Sequence, residues 1–348
     1  MTDNQQKKTF SFFAVYSKLL LSTFYYPLRS KYHQRRKRKE LDKIKKDLGI
    51  PNLPKRKIFI YPYNVKWSNP MWSILHLLNF KITQNPADDF DIALHWLDAT
   101  FKEVNPILLK ISERKTVVNL YSTDISKKRL DMTFKEVFGY NTEINPAEFV
   151  GKAVKKSNYN FQKNGEIIQC PVSEIEDDYI YQLFIDSQYD DNYFSEYRVP
   201  VFRNQIPFVY DKLVLIKERF WGVPKKVSIK EAEEIFSADE IDKIIELCQK
   251  MKVDCCELDI FRDKHTQKIY VVDLNDTVGG LQGQKNPDEG RSLYKAGERE
   301  EAILRLTRAF YESFCLNPNK VKINPHKLKE SRSWKEWYET IKNEYSEV

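Results

Sequence analysis

The chain has 348 residues, 41% hydrophobic, 31% charged and 14% aromatic, with only 10 glycines. This composition excludes a disordered or collagen-like chain, and the length leads us to expect two or three packed subdomains rather than a stapled mini-protein. Net charge is +7, but residues 1–50 hold 13 Lys or Arg against 4 Asp or Glu, so the remainder sums to −2. The basic excess belongs to one arm, and no nucleic-acid partner is expected.

The five cysteines are odd in number, and Cys255 and Cys256 are adjacent, a spacing that suits no disulfide framework. A reducing, cytoplasmic compartment is the natural reading. There is no Cys-x-x-Cys pair and the five histidines are scattered, which removes zinc-ligand spacing.

Residues 1–55 read as an amphipathic and basic extension. Phe10 to Tyr26 is aromatic and leucine-rich, but Lys18 and three serines interrupt it. It is too short for a transmembrane span and lacks the cleavage pattern of a secretory signal. Arg35-Arg36-Lys37-Arg38-Lys39 follows. Residues 10–39 therefore suit an interfacial helix on anionic lipid, peripheral to the inner face of a membrane. A second reading is a helix packed on the protein's own core, followed by solvated charge, and a third is nucleic acid as the target of the basic run.

Pro51 and Pro54 lead into a first globular unit, residues 56–125. Strands near Ile58–Tyr61, Asp91–His95 and Thr116–Leu120 alternate with a helix over Met71–Leu78, as in an open α/β unit. Helix is expected from Asp124 to Tyr140. Residues 126–185 read as a small α+β unit with strands at Glu166–Cys170 and Tyr179–Ile185. A larger α+β unit, residues 186–316, has strands at Tyr197–Phe202 and Pro207–Leu215. Its helices are expected over Ile229–Phe236 and Ser237–Met251, the second opened by a Ser237–Glu240 capping box, and over Gly297–Cys315. Residues 317–348 read as a basic helical tail, with Trp334 and Trp337 on one face.

Between those helices, Cys255–Phe261 and Lys268–Asn275 read as an antiparallel hairpin with alternating character. A turn centred near Thr266 sets Asp259 opposite Asp273 and Glu257 opposite Asn275, with Val272 and Leu274 on the other face. Like charges in that register need a cation between them. Carboxylates with an amide suit Mg²⁺, although a wet strand face would also accommodate them.

This hairpin resembles the closing motif of the ATP-grasp superfamily, over roughly residues 110–315: Asp259 on one strand, then Asp273-Leu-Asn275. The resemblance implies an N-terminal α/β subdomain followed by two α+β subdomains enclosing a nucleotide. It also implies ATP and Mg²⁺ as cofactors, with Asp259, Asp273 and Asn275 as metal ligands. Lys127 and Lys156 match the family's phosphate-neutralising lysines, with Lys128 and Lys155 as neighbouring alternatives. Gln182, Leu183 and Phe184 match the interdomain strand that meets adenine, or form a buried aromatic strand. Arg198 matches the arginine on the transferring group, while Lys212 and Arg219 are further cations for the substrate or else surface charges. Two departures stand out: Asp273 replaces a glutamate, and the lid segment Lys156–Gly165 has one glycine where the family is glycine-rich.

The resemblance implies an ATP-dependent ligase joining a carboxylate to an amine through an acyl-phosphate. The substrate is expected to be a small molecule or glycan, in bacterial cell-surface glycan or peptide modification. A kinase of the same fold phosphorylating a hydroxyl, or a non-catalytic nucleotide-binding membrane-associated protein, are the alternative expectations.

Overall fold

Short runs of β-branched and aromatic residues build three separate sheets, and the loops at their ends place the functional side chains. The computed structural model describes residues 26–160, 162, 164–220, 222–279, 294–295, 297–316 and 333–346. The aromatic part of the expected interfacial helix, residues 10–25, lies outside the described residues. Among the described residues no helix is long and apolar enough to cross a membrane.

The first sheet is parallel, in the order β2-β1-β3-β4, and comprises β1 (Arg56–Pro62), β2 (Phe80–Thr83), β3 (Ile92–Trp96) and β4 (Val117–Val118). Every residue of β3 is buried, as expected for a parallel strand covered on both faces. The strands are linked by α2 (Pro70–Leu77) and α3 (Pro106–Ser112). Asn69 and Asn105 cap these helices by accepting the amide hydrogens of Met71 (2.8 Å) and Ile107 (2.9 Å), each just ahead of a proline at the first helical position.

Helix α1 (Tyr26–Asp47) carries the basic run but is not a free arm. Its Leu41 is fully buried with Ile58, Leu75 and Phe310, and Ile44 packs at the edge of the same cluster. Glu40 binds Arg299 at 3.0 Å, and Asp42 binds His76 at 2.9 Å. Helix α8 (Trp334–Ser346) enters the same core through the fully buried Trp337, Tyr338 and Ile341.

The second sheet is antiparallel, β6-β5-β7, built from β5 (Gly151–Ser157), β6 (Glu166–Cys170) and β7 (Tyr179–Leu183). Helix α4 (Lys127–Phe138) precedes it, capped by Ser126 and ended by Gly139 at φ 80°, a left-handed conformation that glycine adopts freely. The third sheet is also antiparallel, in the order β10-β9-β8-β11-β12. Its strands are β8 (Tyr193–Phe202), β9 (Val209–Leu215), β10 (Lys226–Lys230), β11 (Cys255–Arg262) and β12 (Ile269–Asn275). Helices α5 (Ala232–Ile235) and α6 (Ala238–Lys250) help to bury one of its faces, and α7 (Glu298–Phe310) runs on into a π-helical turn at Tyr311–Cys315. Pro200 is tolerated inside central strand β8 because pairing with β9 has already stopped at Arg198.

Several elements differ from the sequence expectation, among them α3, which no expected helix covers. Ile229, placed in a helix by its three-residue spacing to Ala232 and Ile235, lies in β10 opposite Tyr210, and only the four-residue α5 follows. Strand β2 was not foreseen, since four residues are too few to establish an alternation. The capping box at Ser237 and Glu240 forms as expected.

One residue ties the first sheet to the acidic hairpin. Asn119 follows β4 at φ 59°, and its side-chain amide donates to the carbonyls of Cys255 (2.8 Å) and Asp276 (2.9 Å). Its side-chain oxygen accepts from the amides of Asp254 and Cys255. Nearby, the buried Asp276 carboxylate pairs with Lys102 and accepts from Ser122 Oγ at 2.5 Å.

Because Leu41 is wholly inside the first core, Leu41→Ala should cost about 2–5 kcal/mol, measured by urea denaturation. An arm independent of the fold would lose nothing.

Candidate active site

Where the second and third sheets face each other they enclose a cleft of about 490 Å³. Lys127, Lys156, Gln182, Leu183, Arg198, Lys212, Arg219, Asp259, Asp273 and Asn275 all line it. Phe184 does not: its ring lies against the Arg219 guanidinium, 4.7 Å from the ring centre. Arg219 is boxed further by Phe194 and Phe261 and donates to the Ile185 carbonyl at 2.7 Å. Burial among these rings draws its pKa down to about 10.

The hairpin register places Asp259 opposite Asp273 and Glu257 opposite Asn275, as alternation predicts. Beyond Asp259 the ladder slips, and Ile260 pairs with Val271. Val272 is therefore a bulged residue that borders the cleft while also packing against the core that holds Leu274. Its carbonyl accepts the Lys156 ammonium at 2.9 Å. The turn is set by Asp263, whose Oδ1 accepts from His265 N, Thr266 N and Thr266 Oγ1, while Gln267 takes φ 59°.

Strand pairing also supplies the cation that the acidic face requires. Arg198 on β8 is directly opposite Asp259 on β11 and forks onto it, Nε to Oδ1 at 2.9 Å and Nη2 to Oδ2 at 3.0 Å. Lys212, opposite Glu196 on β9, bonds Glu196 and reaches Asp259 Oδ1 at 3.3 Å. Burial pushes the Asp259 carboxyl up, but Arg198 and Lys212 outweigh it and hold the group well below the usual carboxylate range. Both Asp259 oxygens are thus committed to cations.

Asp273 is placed differently. Its Oδ1 is buried and accepts no hydrogen bond, with Lys127 Nζ 3.4 Å away. Lys127 opens α4 and donates to the side-chain oxygen of Asn160 (2.8 Å) and to the Tyr159 carbonyl (3.2 Å). Asn160 in turn donates to the Leu274 carbonyl at 2.9 Å, and its own amide donates to Thr100 Oγ1. The β5–β6 connection is therefore fastened to β12 by a side chain rather than by glycines. At its far end Gly165 is required: a Cβ there would stand 2.4 Å from the Phe220 ring.

Lys156 has its pKa drawn down to about 8 by burial, opposed by Asp273 and reinforced by Lys127. Gln182 donates to Thr142 Oγ1 at 2.5 Å, and the Leu183 amide is taken by the Thr142 carbonyl at 2.7 Å. Three further residues belong to the site. Glu196 shares the strand face of Arg198 two residues on, a signal that alternation contained. Glu257, 1% exposed, accepts from Gly279 N at 3.1 Å. Asn160 sits in an irregular loop and gave no local signal.

Among the described residues, five cations and four carboxylates line the cleft. No group of three or more His, Cys, Asp or Glu forms a cage for a metal among the described residues. Mg²⁺ needs no such cage, since it keeps waters and takes one or two carboxylates together with phosphate oxygens. The Asp273 oxygen without a hydrogen bond, beside Asn275 on the same strand and diagonal to Glu257, fits that demand better than Asp259.

No family model matches the chain, and no curated protein matches its sequence. Among solved structures it is similar to the ATP-grasp ligase PsnB complexed with a minimal precursor, at 12% identity and TM-score 0.49, over 75% of this chain and 99% of that one. It is also similar to D-alanine–D-alanine ligase from Bacillus anthracis complexed with ATP, at 13% identity and TM-score 0.46, over 74% and 97%. L-amino acid ligase from Bacillus licheniformis matches at 12% identity and TM-score 0.37, over 66% and 68%.

Asp259→Asn strands Arg198 and Lys212 beside a neutral amide, so we expect a loss of about 3–5 kcal/mol at pH 7. The folded pKa of Asp259 lies below its unfolded value, so this stabilisation is complete above about pH 4 and is lost as pH falls through the folded value. Urea denaturation of both proteins should show a constant gap from pH 7 to about pH 4 and a narrowing one below.

Proposed function

We propose that the protein is an ATP-dependent ligase of the ATP-grasp type, joining a carboxylate to an amine through an acyl-phosphate. The observation that carries this reading is the buried Asp273 oxygen without a hydrogen-bond donor, set beside Lys127 and Lys156 in a cleft of mixed charge. Leaving such an oxygen unsatisfied costs free energy unless a ligand fills the gap.

In this reading Lys127 and Lys156 hold the nucleotide phosphates, and Gln182 and Leu183 wall the base. Asp273 and Asn275, with Glu257 beside them, hold Mg²⁺, and Asp259 holds Arg198 and Lys212 in place. When bound, the metal would offset the negative charge of the nucleotide phosphates. The substrate carboxylate attacks the γ-phosphorus and ADP leaves. Arg198, a delocalised cation fixed by its fork, faces the charge that develops on the transferring group, with Lys212 behind it. The amine nitrogen then attacks the acyl carbon: a C–N bond forms, the C–O bond to phosphate breaks, and the amine loses a proton. Arg219, held by its aromatic box, lines the substrate end of the cleft. The acid and amine are drawn from small molecules, glycan precursors or peptides.

Incubation with ATP, Mg²⁺, candidate acids and hydroxylamine should release ADP and give a hydroxamate, and Asp273→Asn should abolish both without shifting the thermal melt. ADP release with a hydroxyl acceptor and no hydroxamate would assign a kinase instead. Nucleotide binding without ADP release under every pairing would remove catalysis.

Lys156 makes a separate expectation. It is charged below about pH 8 and loses its proton above, so ATP affinity should fall as pH rises through that value. Titration calorimetry from pH 6.5 to 9.5 should show the fall in the wild type and a flatter profile in Lys156→Met.

A further inference from the structure

A second cavity, of about 370 Å³, lies on the first sheet, away from every residue assigned above. Gln34 and Arg38, one turn apart on α1, form one wall. Lys81 and Ile82 of β2 form another, over a floor that includes Trp72, Leu75 and Phe80. Among the described residues no carboxylate lines it. Arg38 rests over the Trp72 ring at 5.7 Å, and neither Arg38 nor Lys81 makes an ion pair among the described residues. His76 completes the stack on Trp72 and is already engaged by Asp42.

The strand bordering this cavity is unfinished. β2 closes the sheet order β2-β1-β3-β4, so among the described residues its outer edge has no partner strand. An open edge offers main-chain donors and acceptors to an extended chain, and flanking side chains choose which chain. Here the choice is electrostatic: two cations that form no ion pair among the described residues, beside an apolar floor, favour carboxylates on a partly apolar segment.

We infer that the α1–β2 cavity is a docking site for an acidic peptide segment that adds to the β2 edge, distinct from the nucleotide cleft. Charge argues against other occupants. Residues 317–332 carry five Lys or Arg against one Glu, and residues 1–25 carry three Lys against one Asp. A second copy pairing edge to edge would bring two Lys81 side chains to one interface. The inference does not depend on the ligase reading.

The test uses the full chain and a fluorescein-labelled octapeptide of alternating Glu and Val, read by anisotropy. The acidic peptide should bind, with affinity falling as salt rises, and a Lys-Val peptide should not. Arg38→Glu with Lys81→Glu should weaken binding at least about tenfold, and the milder pair Arg38→Gln with Lys81→Gln should weaken it less. Both double variants should keep the wild-type thermal melt, and Asp273→Asn should bind the peptide as the wild type does. Four results would overturn the proposal: no binding, equal binding of the Lys-Val peptide, competition by free glutamate as effective as by unlabelled peptide, or displacement by a peptide copying residues 1–25.

Discussion

Burying a carboxylate between strands is tolerable only where cations meet it, and that constraint organises this molecule. Asp259 lies in the middle of the third sheet, and the register of β8 on β11 brings Arg198 directly across from it. Lys212 arrives from β9 because β8 and β9 pair Glu196 with Lys212. A one-residue slip in either ladder would send these side chains to opposite faces and leave charges buried alone. The sheet order and the site electrostatics are therefore one requirement, and the apolar packing of α5 and α6 beneath holds the register.

Around this fixed centre the remaining charges play unequal parts. Asp259, Arg198 and Lys212 satisfy one another, whereas Asp273 keeps a buried oxygen open and Lys156 leans on a main-chain carbonyl. A group whose hydrogen bonds are complete gains little from a ligand. A group left incomplete gains a great deal. Within the cleft, Arg198, Lys212 and Asp259 are thus more fully engaged with one another than Asp273 is with its neighbours.

Much of this was legible in the sequence. Alternation in Cys255–Phe261 and Lys268–Asn275 fixed the hairpin and its register at Asp259 and Asp273, because a period of two is unambiguous over seven residues. The Ser237 capping box located a helix for an equally local reason. What escaped notice was non-local. The bulge at Val272 arises where two strands of unequal local length meet, and nothing in Val271-Val272 announces it. Asn160 acts through partners more than 30 positions away, Lys127 and Leu274. The resemblance to the interdomain strand that meets adenine puts Phe184 in the cleft, but the Arg219 guanidinium that takes its ring comes from the loop after β9. Ile229 misled because three apolar residues at helical spacing also occur where a strand ends and a single helical turn begins.

The bulge also sets limits on how this chain can change. Residues can be added or lost at the Asp263–Lys268 turn while Asp259 stays opposite Asp273, provided the ladder between them is kept. Losing one residue between Ile269 and Asp273 would restore an unbroken ladder and withdraw the carbonyl that meets Lys156, so a regular hairpin would here be the defective one. Length variation in descendants of this sequence should accordingly accumulate in the turn and be absent from β12.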